Sequence, residues 1–367
     1  MRHRERVLAA LNHEEADRCP MQVSFTPEFA ARLRKELCLK ESFHNPHGAG
    51  NTYQLETALG EDMLITSVGW ANSYYANETY AAGRESYTDE WGVGWKNIEY
   101  DTRFGRGFYT EICSHPLADH RALDGYMPPD PARPELYLDA EVLLRQFREE
   151  YWIVGATVCT VFETAWALRG YAQLMMDLVS DPDLADSILD VPFRYHLHAA
   201  CKLVEMGVDM IWIGDDVGAQ NAMILSPQIW RQFMKPRLAV FVATIKGLNP
   251  DLKVAYHTDG CVYPIVPELI EIGIDVLNPI QPRSMDPVTL KERHGHKLCF
   301  WGSIDEQYTL PFGTPDEVRD EVLTRLRTLG RNGGLILGPT HHVQLDTPME
   351  NFRALVDTIR NVPYRVV

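Results

Sequence analysis

The stretch Lys253-Val-Ala-Tyr-His-Thr-Asp-Gly260 begins as an apolar run and ends in polar side chains and a glycine. This pattern predicts a buried strand that leaves the core at its carboxyl end. Leu335-Ile-Leu-Gly-Pro-Thr-His-His342 repeats the pattern further along the chain. His257 and Asp259 are two residues apart, so on a strand both would point to the same side. We expect the two strand ends to face one pocket, where a histidine and a carboxylate could bind a metal or move a proton.

Strand and helix patterns alternate regularly from residue 151 onward. The predicted strands are 151–157, 208–214, 253–257, 276–278, 298–302 and 335–338, with helices between them. Such alternation indicates a parallel sheet with right-handed crossovers. Together with less clear strands at 18–25 and 62–67, it favours a closed (β/α)8 TIM barrel. An open doubly wound sheet is the alternative, but no GxGxxG follows a predicted strand.

The whole chain, 1–367, is interpreted as one domain, because no break in composition divides it. Residues 1–150 would form an elaborated N-terminal part and 151–367 the regular strand–helix units. Alternating aromatic residues over 86–100 predict a hairpin. An aromatic cluster is more typical of packing than of a ligand cage: Trp70, Tyr74, Tyr75, Trp91 and Trp95.

Composition and charge exclude several function classes. The net charge is −16, from 35 basic and 51 acidic residues, so the chain would repel nucleic acid. The seven cysteines are scattered without a CxxC pair, which argues against a disulfide framework or zinc ribbon and favours a reducing compartment. No apolar run reaches membrane-spanning length, and the first residues lead into a helical pattern rather than a signal sequence. We therefore expect a cytoplasmic protein without a membrane partner.

Polar side chains follow each of the predicted strands from residue 151 onward. In a barrel, the functional groups sit at these carboxyl ends. The residues in question are Glu163, Asp215, Asp216, His257, Asp259, Asn278, Gln281, Ser303, Asp305, His341 and His342. Several could instead cap a loop or a helix, Asp215, Asp216 and Asp305 in particular. His257 with Asp259 is harder to explain as structure alone, because burying both is costly unless they are paired or bound to a metal.

Several motifs resemble the uroporphyrinogen decarboxylase superfamily, which includes the decarboxylase and the zinc- and corrinoid-linked methyltransferases. They are Arg4 to Leu11, Asp17 to Pro20, Phe162 to Gly170, His257 to Gly260, Gly273 to Asn278, Trp301-Gly302 and Gly338-Pro339. The resemblance covers most of the chain and implies a (β/α)8 barrel, in agreement with the strand–helix pattern.

The decarboxylase branch carries an arginine-rich loop after its first strand, which holds the substrate's propionates. The corresponding region here is Gln22 to Glu28, and no arginine follows until Arg32. A polycarboxylate tetrapyrrole would lack its usual partners in such a pocket. The resemblance therefore favours the methyltransferase branch.

Methyltransferases of this type bind zinc through a His-x-Cys motif and a distant cysteine. Aligned with these ligands, the chain has His257, Asp259 and His341, so the resemblance implies a zinc site of harder ligands. It further implies two sets of residues around the metal. The catalytic set is Glu163, Asp215, Asp216, Gln281 and His342, and the substrate-binding set is Arg169, Asn278, Trp301 and Asp305.

Harder ligands make a metal a better Lewis acid towards oxygen or nitrogen. We therefore expect methyl transfer from a small O- or N-methylated compound to the cobalt of a separate corrinoid protein; the chain itself carries no corrinoid-binding motif. Two alternatives stay open: a metal-free decarboxylase that uses Asp215 and His341 for proton transfer, and a non-catalytic binding barrel. A homodimer is a further association left open.

Overall fold

A computed structural model describes residues 1–75 and 85–364. Its strands are β1 (Met63–Ser67), β2 (Ser86–Thr88), β3 (Gly94–Thr102), β4 (Gly105–Ser114), β5 (Trp152–Ala156), β6 (Met210–Gly214), β7 (Lys253–His257), β8 (Val276–Asn278), β9 (Cys299–Ile304) and β10 (Leu335–Pro339). Seven of them form one parallel sheet in the order β1-β5-β6-β7-β8-β9-β10. The predicted strands at 62–67 and from residue 151 onward are all in this sheet.

The strand predicted over 18–25 is not a regular strand. Its residues form only isolated bridges: Arg18 with Pro363, Met21 with Leu337 and Phe25 with Val343. The backbone N–H groups of Met21 and Val23 donate to the carboxylates of Asp62 and Glu61 at 2.8 and 3.2 Å, rather than to a neighbouring strand. Pro20 has no N–H to donate. The described residues therefore show a curled sheet of seven regular strands, not eight.

The helices are α1 (His3–Leu11), α2 (Pro27–Glu36), α3 (Gln54–Leu59), α4 (Leu138–Phe147), α5 (Phe162–Arg169), α6 (Tyr171–Ser180), α7 (Pro182–Met206), α8 (Pro227–Ile229, a π turn Trp230–Met234, and Lys235–Leu248), α9 (Val266–Glu271), α10 (Pro287–His294), α11 (Thr309–Phe312), α12 (Pro315–Thr328) and α13 (Met349–Asn361). Short 3₁₀ turns occur at Trp70–Tyr75, His120–Gly125, Pro134–Tyr137 and Tyr263–Ile265.

Three helices begin at residues typical of helix caps. The side chains of Thr26, Ser226 and Thr314 each accept a backbone N–H of the first turn of α2, α8 and α12. The segment between β5 and α7 contains two helices, α5 and α6. Gly170, at φ 94°, separates them because this conformation cannot continue a helix.

The aromatic stretch after β1 forms a small antiparallel sheet, β2-β3-β4, which extends the predicted hairpin by one strand. Trp70, Trp91 and Trp95 are buried, and the rings of Trp70 and Trp95 stack with centroids 5.5 Å apart. These three tryptophans pack in the core. The side chains of Tyr74 and Tyr75 lie outside the described residues.

Strands β1 and β5 to β10 are almost entirely buried, as expected of a parallel sheet covered by helices. Between residues 1–75 and 85–364, no helix is both long and apolar enough to cross a bilayer.

Candidate metal centre and active site

A cavity of about 230 Å³, open to solvent, lies where β5 to β10 end. It brings together seven of the residues singled out in the sequence: Glu163, Asp216, His257, Asn278, Trp301, His341 and His342. Histidines and carboxylates supply its ionisable groups, together with one thiol. None of the described residues that line it is lysine or arginine.

The last residue of β7, His257, is held by a chain of hydrogen bonds. Its Nδ1 lies 2.7 Å from Asn278 Oδ1, and Asn278 Nδ2 donates to the carbonyl oxygen of Trp301 at 3.2 Å. A carbonyl oxygen can only accept, so the amide oxygen of Asn278 must face the imidazole and Nδ1 must carry the proton. In the neutral ring, Nε2 then presents its lone pair, and it lies 3.5 Å from Asp216 Oδ1.

Asp216, His257 and Asp259 form a group whose ligand atoms all lie within 4.8 Å of one another. The backbone N–H of Asp259 donates to Asp216 Oδ1 at 2.8 Å, which draws the loops after β6 and β7 together. Gly214 allows this approach, because a Cβ there would lie 2.1 Å from the carbonyl oxygen of His257. One carboxylate oxygen of Asp259, Oδ1, is buried without a partner in the described part of the chain.

The carboxyl groups around this point destabilise one another's charged forms. Burial, and then the neighbouring Asp216, raise the pKa of Asp259. Burial, Asp216 and Asp215 raise the pKa of Glu163 well above its usual value. A bound divalent cation would relieve this repulsion and give Asp259 Oδ1 a partner. Two carboxylates and an imidazole whose free nitrogen faces them therefore fit a metal ion.

Asp215 does not line the cavity. Its carboxylate accepts the backbone N–H groups of Val161 and Glu163 at 2.9–3.1 Å, at the start of α5. Burial raises its pKa to about 7, although these hydrogen bonds act in the opposite direction. Asp215 thus holds the first turn of α5, and with it Glu163.

Glu163 lies on the cavity wall, with Cys159 beside it. Glu163 Oε2 accepts the backbone N–H of Asp216 at 3.1 Å. Since burial and two aspartates raise the pKa of Glu163, its carboxyl group holds a proton more tightly than a free glutamate does.

Three imidazoles line the cavity besides that of His257: those of His47, His341 and His342. The His342 ring lies 4.6 Å from His341 and 5.2 Å from His47, measured between centroids, and its Nδ1 is 2.8 Å from Ser24 Oγ. Burial lowers the pKa of His47 to about 3 and that of His342 well below its ordinary value. His341 lies outside the group of Asp216, His257 and Asp259 defined above.

Three other residues singled out in the sequence form hydrogen bonds or ion pairs outside the cavity wall. Gln281 Oε1 accepts the N–H of Gly260 at 2.7 Å. Arg169 is buried and pairs with Asp177 at 2.7 Å while donating to backbone carbonyls of 117 and 118. Asp305 pairs with Arg283 at 2.7 Å and accepts the N–H of Gln307. None of the three lines the cavity.

Sequence reasoning missed Trp212, Cys159 and His47. Trp212 packs against Trp301 at 4.8 Å and against His257 at 5.6 Å, measured between ring centroids. It lies two residues before Gly214 on β6, so the two-residue period of that strand could have placed it on the cavity side. His47 comes from a loop outside the strand–helix units, where no periodic signal exists.

Residues 100–362 match a family model described as Uroporphyrinogen decarboxylase (URO-D). A Methylcobamide:CoM methyltransferase of Methanosarcina barkeri is 28% identical over 200 residues, which cover 52% of this chain and 55% of that protein. The chain thus matches about half the length of that relative. A uroporphyrinogen decarboxylase of Picosynechococcus sp. is 25% identical over 68% of this chain and 71% of its own length.

Among solved structures, one described as a methyltransferase from Methanosarcina mazei superposes with a TM-score of 0.67. The match covers 98% of both chains at 21% identity. At that identity the likeness establishes a shared fold.

Proposed function

The chain belongs to the uroporphyrinogen decarboxylase family, and on that premise we propose that it is a methyltransferase. It would move a methyl group from a small O- or N-methylated compound to a separate corrinoid protein. The relative named as a Methylcobamide:CoM methyltransferase supports methyl transfer as the reaction class.

The observation that carries the proposal is the chemistry of the cavity. Two of its lining residues, Asp216 and His257, form a possible metal site with the neighbouring Asp259, and no lysine or arginine stands among the described residues of its wall. A polycarboxylate substrate would find no lysine or arginine to pair with among those described residues. An uncharged or cationic methyl donor would meet no such obstacle.

We assign Asp216, His257 and Asp259 as the residues that would hold zinc. A zinc ion there would supply Lewis-acid activation of the oxygen or nitrogen that bears the methyl group. His341, the third ligand that the family resemblance implies, lines the same cavity and remains a proposed ligand.

Glu163 is the group best suited to donate a proton to the departing oxygen or nitrogen. It lies on the cavity wall, and its raised pKa favours the protonated form. Asp215 supports this role indirectly, because its carboxylate holds the helix turn that carries Glu163. Trp212 and Trp301 offer flat apolar surfaces against which a substrate could pack.

The remaining proposals concern the whole chain. We take 1–367 as one domain and the curled sheet as a closed barrel, because residues 20–22 hydrogen-bond both to Leu337 of β10 and to Asp62, which precedes β1. A cytoplasmic location is proposed from the seven free cysteines. A homodimer also remains a proposal.

Decarboxylation is the second candidate function, favoured by one observation. The relative named as a uroporphyrinogen decarboxylase matches more of this chain than the methyltransferase relative does, 68% against 52%. In that reaction Asp215 and His341 would transfer protons without a metal. The absence of lysine and arginine from the described cavity wall argues against its polycarboxylate substrate.

The test uses purified protein reconstituted with zinc. Free cob(I)alamin is offered as the methyl acceptor with a panel of methoxy and N-methyl compounds, and methylcobalamin is followed by its absorbance. Uroporphyrinogen is incubated in parallel. The proposal predicts methylcobalamin with at least one donor and no coproporphyrinogen. Ready coproporphyrinogen formation, without methyl transfer from any donor, would establish the decarboxylase instead.

A further inference from the structure

We infer that Asn278 and Gln281, two amides at the end of β8, are positioning residues for the metal-ligand pair at the end of β7. Asn278 would set the protonation site of His257, and Gln281 would orient Asp259. The inference rests on the proposed metal centre. It adds that hydrogen bonds orient two of the proposed ligands in the metal-free protein.

Asn278 is buried, and its hydrogen bonds fix the orientation of its side-chain amide. Its Nδ2 donates to the carbonyl oxygen of Trp301 at 3.2 Å, and its backbone carbonyl accepts the N–H of Thr258 at 2.8 Å. The amide oxygen is thereby fixed towards His257 Nδ1 at 2.7 Å. The proton is held on the nitrogen that faces away from Asp216, and Nε2 is left free to bind.

Gln281 holds the loop that carries the second ligand. Its Oε1 accepts the N–H of Gly260 at 2.7 Å, which fixes the backbone directly after Asp259. The carboxylate of Asp259 is thereby kept beside His257, and its Oδ1 is buried without a partner in the described part of the chain.

Neither amide need touch the metal for this role. A partner on the far nitrogen of a ligating histidine fixes the ring and raises its basicity, and losing such a partner typically weakens metal binding 10- to 100-fold. The contacts made by Asn278 and Gln281 also explain the polar positions after β8 without requiring them to bind substrate.

The experiment measures zinc affinity by competition with a chelator, in wild type and in Asn278→Leu, Asn278→Asp and Gln281→Leu. Cobalt(II) spectra of each protein report the ligand geometry. Gln220→Leu is the matched control, since this exposed amide donates to the Arg283 carbonyl and touches no proposed ligand. Thermal unfolding of the metal-free proteins checks that each variant folds.

We expect Asn278→Leu to weaken zinc binding about 10- to 100-fold and to change the cobalt spectrum. Asn278→Asp, which keeps an acceptor for Nδ1–H, should recover most of the loss. Gln281→Leu should also weaken binding, whereas Gln220→Leu should not. Unchanged affinity in Asn278→Leu, or equal loss in the Leu and Asp variants, overturns the positioning role while leaving the metal centre intact. A wild-type protein that binds neither metal refutes the proposed centre itself, and the positioning role with it.

Discussion

Replacing Glu163 with glutamine isolates its proposed role as an acid. The side chain keeps its shape, and the new amide oxygen can still accept the Asp216 N–H that Glu163 Oε2 accepts at 3.1 Å. What disappears is the ionisable proton. Folding should therefore change little, while methyl transfer should slow.

The size of the loss follows from the environment of Glu163. Burial is the largest cause that raises its pKa well above 4.5, and burial persists when a metal ion compensates the charge of Asp216, so the wild-type side chain retains its proton more fully than a free glutamate. General acid catalysis by a positioned group contributes about 10²- to 10⁴-fold. That factor corresponds to about 3–5 kcal/mol of activation free energy, at about 1.4 kcal/mol for each factor of ten.

The assay is the rate of methylcobalamin formation from the best donor, measured from acid to alkaline pH. Wild-type activity should fall as the pH rises through the raised pKa of Glu163, because the acid form is the active one. Glu163→Gln should be slow and lack this alkaline fall. Glu56→Gln is the matched control, since Glu56 is also buried with a raised pKa but does not line the cavity. A Glu163→Gln rate within tenfold of wild type, with the alkaline fall retained, would refute the reasoning.

Three further outcomes are expected. His257→Ala should lose zinc-dependent stabilisation, which at a zinc concentration 100 times Kd is about 2.7 kcal/mol in wild type. Calorimetry with and without zinc measures this stabilisation. An equal increase in stability on adding zinc to both proteins would contradict the assignment of His257 as a ligand. The double change Asp259→Cys with His341→Cys should tighten zinc binding in a chelator competition and slow methyl transfer from O-methyl donors, because thiolates are softer ligands. Weaker zinc binding would contradict the assignment of both residues as metal ligands. Because the pKa of Asp215 is raised from 3.8 to about 7 on folding, its stabilising contribution is complete below pH 3.8 and is lost as the pH rises to about 7. In Asp215→Asn the free energy of unfolding, measured in urea, should therefore fall less steeply than in wild type across that pH range. An unchanged slope would exclude Asp215 as the source of the pH dependence.

Much of the fold was predictable because β5 to β10 carry local signals. Each is an apolar run that ends in polar residues, and the helices between them begin with recognisable caps. The prediction of a regular strand over 18–25 was wrong for a physical reason that no local pattern reveals. Two of its N–H groups bond to the carboxylates of Glu61 and Asp62, which lie 38 and 41 residues further along the chain.

The candidate site was predictable by position but not by role. Residues at strand ends did converge on one cavity, with Glu163, Asp216 and His257 among them. The sequence could not tell Asp215 from Asp216, since neighbouring residues point in different directions: one carboxylate turns to the helix and the other to the cavity. Arg169 and Asp305 end in ion pairs that only the tertiary structure defines.

The most direct test of the metal centre is the zinc content of the purified protein. The wild-type chain, prepared without chelator and supplied with zinc, is desalted and analysed by elemental mass spectrometry, beside Asp216→Ala prepared in the same way. We expect about one equivalent of zinc in wild type and a clear loss in the variant. Well under one equivalent in wild type would contradict it and would leave His257 and Asp259 as a proton-transfer or substrate-binding pair.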